Sequence, residues 1–164
     1  MSCSQDQRVS ITEELITGLL PNSIVSLQGG GLRWLDAWEV PQEDFNVVTR
    51  PAQFNDTQNW RLTLVPRASD DIPVFTVVQV SSGRFLDAHE IPQLYNRVVT
   101  RPQQNNDTQL WRFFDYGGGF YTIQQVSSGR FSGPPWTGTS RSSPCQTKNE
   151  PQVTWRLGAP AWSE

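Results

Sequence analysis

Residues 33–61, RWLDAWEVPQEDFNVVTRPAQFNDTQNWR, are written again at 84–112 as RFLDAHEIPQLYNRVVTRPQQNNDTQLWR. The offset is 51 residues with no gap, and 19 of 29 positions are identical. An internal repeat of this strength has to be recognised before any strand is assigned. A third, weaker copy follows. Phe120–Val126 (FYTIQQV) repeats the sense of Phe75–Val80, and Gly129-Arg130-Phe131 repeats Gly83-Arg84-Phe85. Trp155-Arg156-Leu157 repeats Trp60-Arg61-Leu62 and Trp111-Arg112-Phe113. The interior of this copy, Gly133 to Val153, is shorter by two residues and mostly unrelated, so the units run roughly 22–72, 73–118 and 119–164.

Each unit holds short runs of β-branched and aromatic residues separated by turns. In the second they are Val74–Val80, Arg84–Asp87, Arg97–Arg101 and Trp111–Asp115, with the composition and alternation of strands. Ser81-Ser82-Gly83 reads as a tight turn in which glycine takes a positive φ, and Pro92 and Pro102 mark the longer loops. The spacing leaves no room for an intervening helix, so the fold is all-β. Four strands in each of three units give twelve. Three units suit a closed barrel with pseudo-threefold symmetry, which leaves no bare edge, whereas propellers use four or more blades and solenoids need caps. The expectation is a β-trefoil, with Val98, Trp60, Trp111 and Trp155 in core positions related by the symmetry.

Residues 1–21 stand outside the repeats as an N-terminal arm. Ser10 followed by Glu13 is a capping-box pattern, and Ile11, Leu15 and Leu19 share one helical face, so a short helix is expected there, with 22–164 forming one domain. Over 164 residues the chain is 36% hydrophobic and 18% charged, with a net charge of −3. That is a globular composition, and no apolar run is long enough for a transmembrane helix. The 13 basic residues are scattered, which argues against a nucleic-acid partner. The N-terminus lacks the basic start and apolar run of a secretory signal. A cytoplasmic location is expected, with release by a non-classical route left open. Cys3 and Cys145 do not make a disulfide framework, and a single histidine gives no zinc pattern. No metal or other cofactor is expected.

The segments Asp56-Thr57-Gln58-Asn59-Trp60 and Asp107-Thr108-Gln109-Leu110-Trp111 carry a Gln-x-Trp signature at equal repeat phase, each downstream of a Leu-Asp pair. In this the chain resembles the ricin B-type β-trefoil lectins, over nearly its whole length after residue 22, and fungal or bacterial cytosolic members more than the plant galactose lectins. The resemblance implies non-covalent recognition of glycans in shallow pockets. It matches Asp36 and Asp87 to the carboxylate that accepts sugar hydroxyls, and Gln58 and Gln109 to the side chains that brace it. The chemistry suits the role, because a carboxylate takes two hydroxyl donors while an aromatic ring covers the CH face of a pyranose.

The chain departs from the plant pattern. Thr57 and Thr108 stand where an asparagine precedes the glutamine, and Val48 and Val99 stand where the stacking aromatic belongs. Substitutes lie close by: Trp38 and His89 two residues after each aspartate, Phe45 and Tyr95 in the next loop, Asn46 and Asn96 on the same rim, and Asn55 and Asn106 before the Gln-x-Trp motif. The third unit has Gly133-Pro134-Pro135 in place of Asp-Ala-(Trp/His), and Val153 in place of Gln, so two sites are expected, in repeats 1 and 2. The plainer reading is that Asp36 and Asp87 cap the turns after them. Arg50 and Arg101 are expected to pair with Asp56 and Asp107 or with Glu39 and Glu90. No motif for a nucleophile, a metal-bound water or a phosphate loop occurs, and two acids on one rim loop do not make a glycosidase pair. The chain is therefore read as non-catalytic, as a monomer or homodimer. The alternative is a protein-binding trefoil such as a protease inhibitor or a non-catalytic subunit of an enzyme or toxin.

Overall fold

The computed structural model describes residues 23–67, 72–94, 97–130 and 154–160. It holds ten strands among them: β1 (Ser23–Gly29), β2 (Arg33–Ala37), β3 (Val47–Arg50), β4 (Trp60–Val65), β5 (Val74–Gln79), β6 (Phe85–Ala88), β7 (Val98–Arg101), β8 (Trp111–Gly117), β9 (Phe120–Gln125) and β10 (Trp155–Gly158). All four strands expected in the second unit are present. Twelve were expected; the two missing ones would fall within 131–153, outside the described residues. The expected N-terminal helix, Cys3 and Cys145 lie outside them as well.

Pairing explains the architecture. Strand β1 pairs β4, β4 pairs β5, β5 pairs β8, β8 pairs β9, β9 pairs β10, and β10 returns to β1, every pair antiparallel. Six strands thus close on themselves, and closure removes the open edges that a flat sheet would expose. Two hairpins, β2–β3 and β6–β7, sit off this ring, joined to it through β1 and β5. This is the β-trefoil arrangement, all-β as expected.

The three tryptophans occupy equivalent register positions. Trp60 faces Val25, Trp111 faces Phe75, and Trp155 faces Tyr121. All three are buried, together with Val98. An indole of this size removes about 200 Å² from water, a gross gain of about 5 kcal/mol before entropy is counted. Its N–H must still find an acceptor. Trp60 Nε1 donates to Leu35 O (3.1 Å) and Trp111 Nε1 to Leu86 O (3.0 Å), so each hairpin is tied to the barrel beneath it. Leu35, Ala37 and Val47 in one hairpin, and Leu86, Ala88 and Val98 in the other, complete the core. Phe75 and Phe113 meet edge-to-face inside the barrel, 5.4 Å between centroids.

Consecutive units are joined by a polar lock that sequence reading missed. Gln79 is buried; its Nε2 donates to Thr57 O (2.9 Å), and its Oε1 accepts from Ser82 Oγ (2.6 Å). Gln125 repeats this with Thr108 O (2.7 Å) and Ser128 Oγ (2.6 Å). The adjoining backbone completes the joint: Val80 N donates to Asn59 O and Val126 N to Leu110 O, both at 2.9 Å. Gly83 and Gly129, each at φ 69°, turn the chain back over the glutamine. Positive φ at this position is the expected turn, and only glycine adopts it without cost. Ser81 and Ser127 reach across to Glu39 and Glu90 of the preceding unit. Where β10 meets β1, Gly29 approaches Trp155 instead, and a Cβ there would lie 3.1 Å from the ring.

Replacing Gln79 with leucine takes their partner from the half-buried Thr57 carbonyl and Ser82 hydroxyl. The expected loss is about 1–3 kcal/mol, read from the urea midpoint of unfolding. An unchanged midpoint would remove the lock from any account of stability.

Candidate functional site

Register fixes which side chains share the outer face of each hairpin, because residues two apart on a strand point the same way. Trp34 faces Arg50 and Asp36 faces Val48, and Trp38 N donates to Asn46 O (2.9 Å). The face of β2–β3 is therefore Trp34, Asp36 and Trp38 beside Arg50, Val48 and Asn46. On β6–β7 the same steps give Phe85, Asp87 and His89 beside Arg101, Val99 and Arg97.

Asp36 and Asp87 lie at the centre of these faces and are 0% exposed. Asp36 Oδ1 accepts from Ala37 N (2.7 Å), and Asp87 Oδ1 from Ala88 N (2.7 Å), the local backbone bond of the plainer reading. On the other oxygen, Asp36 Oδ2 has Thr57 Oγ1 at 3.2 Å and Arg50 Nη1 at 3.6 Å. Asp87 Oδ2 has Gln109 Nε2 at 3.2 Å and Arg101 Nη1 at 3.7 Å. The arginines thus pair with the aspartates of their own hairpin, which corrects the expected partners Asp56, Asp107, Glu39 and Glu90. The reason is the register: the end of β3 or β7 folds its long side chain back over the same face. A buried charge is tolerated only when it is paired and hydrogen-bonded.

The other sequence candidates divide. Gln58 and Gln109 are buried and spent on their own loops: Oε1 accepts from Gln53 N and Gln104 N (both 2.8 Å), and Nε2 donates to Pro51 O and Pro102 O (both 2.9 Å). Gln109 also braces Asp87. Asn55 and Asn106 cap the short 3-10 turns Asp56–Gln58 and Asp107–Gln109, accepting from the next-but-one threonine N at 3.2 Å and its hydroxyl at 2.6 Å. Both were expected at the sugar rim; the Asn-x-Thr spacing is the signal that could have marked them as caps. Trp38 stays 40% exposed, its ring 4.1 Å from the Arg50 guanidinium. Tyr95 and Asn96 lie outside the described residues.

Phe45 was expected over the pocket of its own repeat. It stacks on Arg84 of the next one, 3.6 Å from ring centroid to guanidinium carbon. Asp44 and Phe45 take left-handed φ values of 51° and 49°, which swing this loop across to β7, where Thr100 N donates to Phe45 O (3.0 Å). Arg84 also donates to Thr100 Oγ1 (3.2 Å) and Thr100 O (2.7 Å). Burial, and then the nearby Arg101 charge, lower its pKa from the ordinary guanidinium value. His89 is held from both sides, by Asp44 Oδ2 at Nε2 (2.9 Å) and Arg101 Nη2 at Nδ1 (2.6 Å). A guanidinium only donates, so Nδ1 accepts and Nε2 donates its hydrogen bond to Asp44 Oδ2. Arg97 Nη2 reaches the same carboxylate at 3.3 Å.

Among the described residues no cluster of three His, Cys, Asp or Glu side chains is placed to hold a metal ion.

Against known proteins, the family model described as ricin-type beta-trefoil lectin domain-like matches residues 56–133. No curated protein matches the chain. Among solved structures, the designed 3-fold symmetric protein ThreeFoil is 22% identical, with 82% of this chain and 97% of that chain covered at a TM-score of 0.59. The Polyporus squamosus lectin, solved with a human-type influenza-binding epitope, is 15% identical, covering 84% and 49% at 0.62. The Haemophilus ducreyi cytolethal distending toxin is 20% identical, covering 84% and 83% at 0.61.

Asp87→Asn keeps the shape and the Ala88 contact but removes the charge facing Arg101. The Arg101 side chain keeps 29% of its exposure, so water takes over part of its solvation, and the expected loss is about 1–3 kcal/mol. The urea midpoint checks this; no shift would mean that the scaffold makes no use of the carboxylate charge. The closed six-strand ring and these structural neighbours together establish the fold of the chain as a β-trefoil, and residues 56–133 are similar to the ricin-type lectin domain.

Proposed function

We propose that the protein is a non-catalytic, carbohydrate-binding β-trefoil, and that glycans meet it on the outer faces of the hairpins carrying Leu-Asp-Ala-(Trp/His)-Glu. The observation that carries this reading is the arrangement on those faces: a buried carboxylate, a guanidinium drawn over it, and a ring at the rim. The lectin-like match over residues 56–133 supports it, as does the likeness in fold to a lectin solved with a sialylated epitope. A fixed donor next to an aromatic surface meets both sides of a sugar, its hydroxyls and its apolar CH face. With Asp36 and Asp87 buried, the carboxylates serve in this reading as anchors that aim Arg50 and Arg101, and the arginines and rim rings make the contacts. Shallow faces of this kind bind single sugars weakly and gain strength when several residues of a glycan are engaged together.

A glycan array probed with the wild-type protein and with Arg50→Ala/Arg101→Ala tests the reading. Binding of at least one glycan class by the wild type is expected, falling about tenfold or more in the double variant. A wild type that binds nothing on the array overturns the carbohydrate-binding reading. A double variant that binds unchanged moves the site elsewhere.

A further inference from the structure

The two hairpin faces carry the same buried aspartate paired with an arginine; besides Trp34 against Phe85, they differ in one cross-strand pair at the rim. Repeat 1 has Trp38 beside Asn46, and repeat 2 has His89 beside Arg97. In repeat 2 both members of the pair are drawn to Asp44, and His89 also satisfies Arg101 Nη2. The His89 side chain keeps only 12% of its exposure. Repeat 2 has therefore filled its own face, using an acid from the loop of repeat 1, and Arg97 Nε is the atom left over.

In repeat 1 an indole stands where the imidazole would be, and an indole has no acceptor. Arg50 Nη2, the counterpart of the atom that His89 satisfies, is consequently buried without a partner beneath the Trp38 ring. Asn46 Oδ1, on the same face, is buried without a partner too. An unpartnered donor and an unpartnered acceptor on one face are both costly, and a bound group that serves both recovers that cost.

Resting on the carbohydrate-binding reading, we infer that repeat 1 is the working site and repeat 2 a closed copy. The ligand class is an uncharged sugar presenting two neighbouring hydroxyls. One hydroxyl oxygen accepts from Arg50 Nη2, and the other hydroxyl donates to Asn46 Oδ1. Trp38 pivots off the guanidinium and lies against the CH face of the ring, while its backbone stays fixed by the bond to Asn46 O. Charge selects the class. Arg50 is already opposed by Asp36 at 3.6 Å, and Asn46 stands where repeat 2 has a second cation, so this face has no spare positive charge for an acidic sugar.

The test titrates the full chain with galactose, N-acetylgalactosamine, glucose, mannose, N-acetylglucosamine and N-acetylneuraminic acid, followed by calorimetry and by NMR of the indole and imidazole signals. At least one neutral sugar is expected to bind at one site per chain and to move the Trp38 indole signal, leaving His89 in place. Trp38→Ala and Asn46→Arg are each expected to weaken binding about tenfold or more, and Trp38→Phe to restore part of the loss. Trp38 is 40% exposed, so Trp38→Phe is expected to keep the wild-type unfolding midpoint. A neutral sugar that moves His89 and binds Trp38→Ala unchanged overturns this inference while leaving the carbohydrate-binding reading intact. Preference for N-acetylneuraminic acid overturns the ligand class. Silence towards all six sugars by a protein that is positive on the glycan array also overturns the inference; silence in both experiments removes the reading beneath it.

Discussion

A buried glutamine amide holds each described unit to the one before it, and the rest of the molecule is arranged so that this amide is satisfied. Gln79 and Gln125 sit at the ends of barrel strands, where the chain must leave the sheet and start a hairpin. A side chain that donates to the preceding unit and accepts from its own turn solves two problems there: an open carbonyl on one side and a free hydroxyl on the other. The glycine turn, the serines and the Asp-Thr-Gln loop follow from that geometry. Fully satisfied, such a network specifies one register; half-satisfied, it would be worse than an apolar contact.

The same requirement, applied to the hairpins, separates framework from surface. Asp36 and Asp87 look alike in sequence and are equally buried, each taking a backbone N–H and an arginine. What differs is the layer above. In repeat 2 an imidazole, a second arginine and the Asp44 carboxylate borrowed from repeat 1 leave one guanidine nitrogen unserved. In repeat 1 an indole and an amide leave one donor and one acceptor unserved at the rim. In the proposed reading, two substitutions at one cross-strand position separate a filled face from one that can take a ligand, because an indole offers a surface where an imidazole offers a lone pair.

Much of the fold was legible because repeated phrases carry repeated constraints. The 51-residue offset places Trp60 and Trp111 alike, the β-branched runs mark strands, and Gly83 and Gly129 mark turns. The asparagine caps were not read: Asn55 and Asn106 looked like rim candidates and instead cap the turns after them. Less legible was what crosses from one unit to the next. Phe45 reads as a rim residue of its own repeat, yet two successive left-handed residues carry it to Arg84. Arg50 and Arg101 read as partners of nearby acids in the loops, yet a long side chain running back along its own strand reaches the aspartate on the neighbouring one.

Sequence alone determined the class of fold, the number of units, the turn glycines and the buried tryptophans, since these follow from periodicity and residue type. Only the tertiary structure decided which polar groups are spent inside the scaffold and which face outward. Hydrogen-bond capacity is a property of atoms brought within about 3 Å of each other, and the pairs that settle the matter, His89 with Asp44 and Gln79 with Thr57, come from different units of the chain.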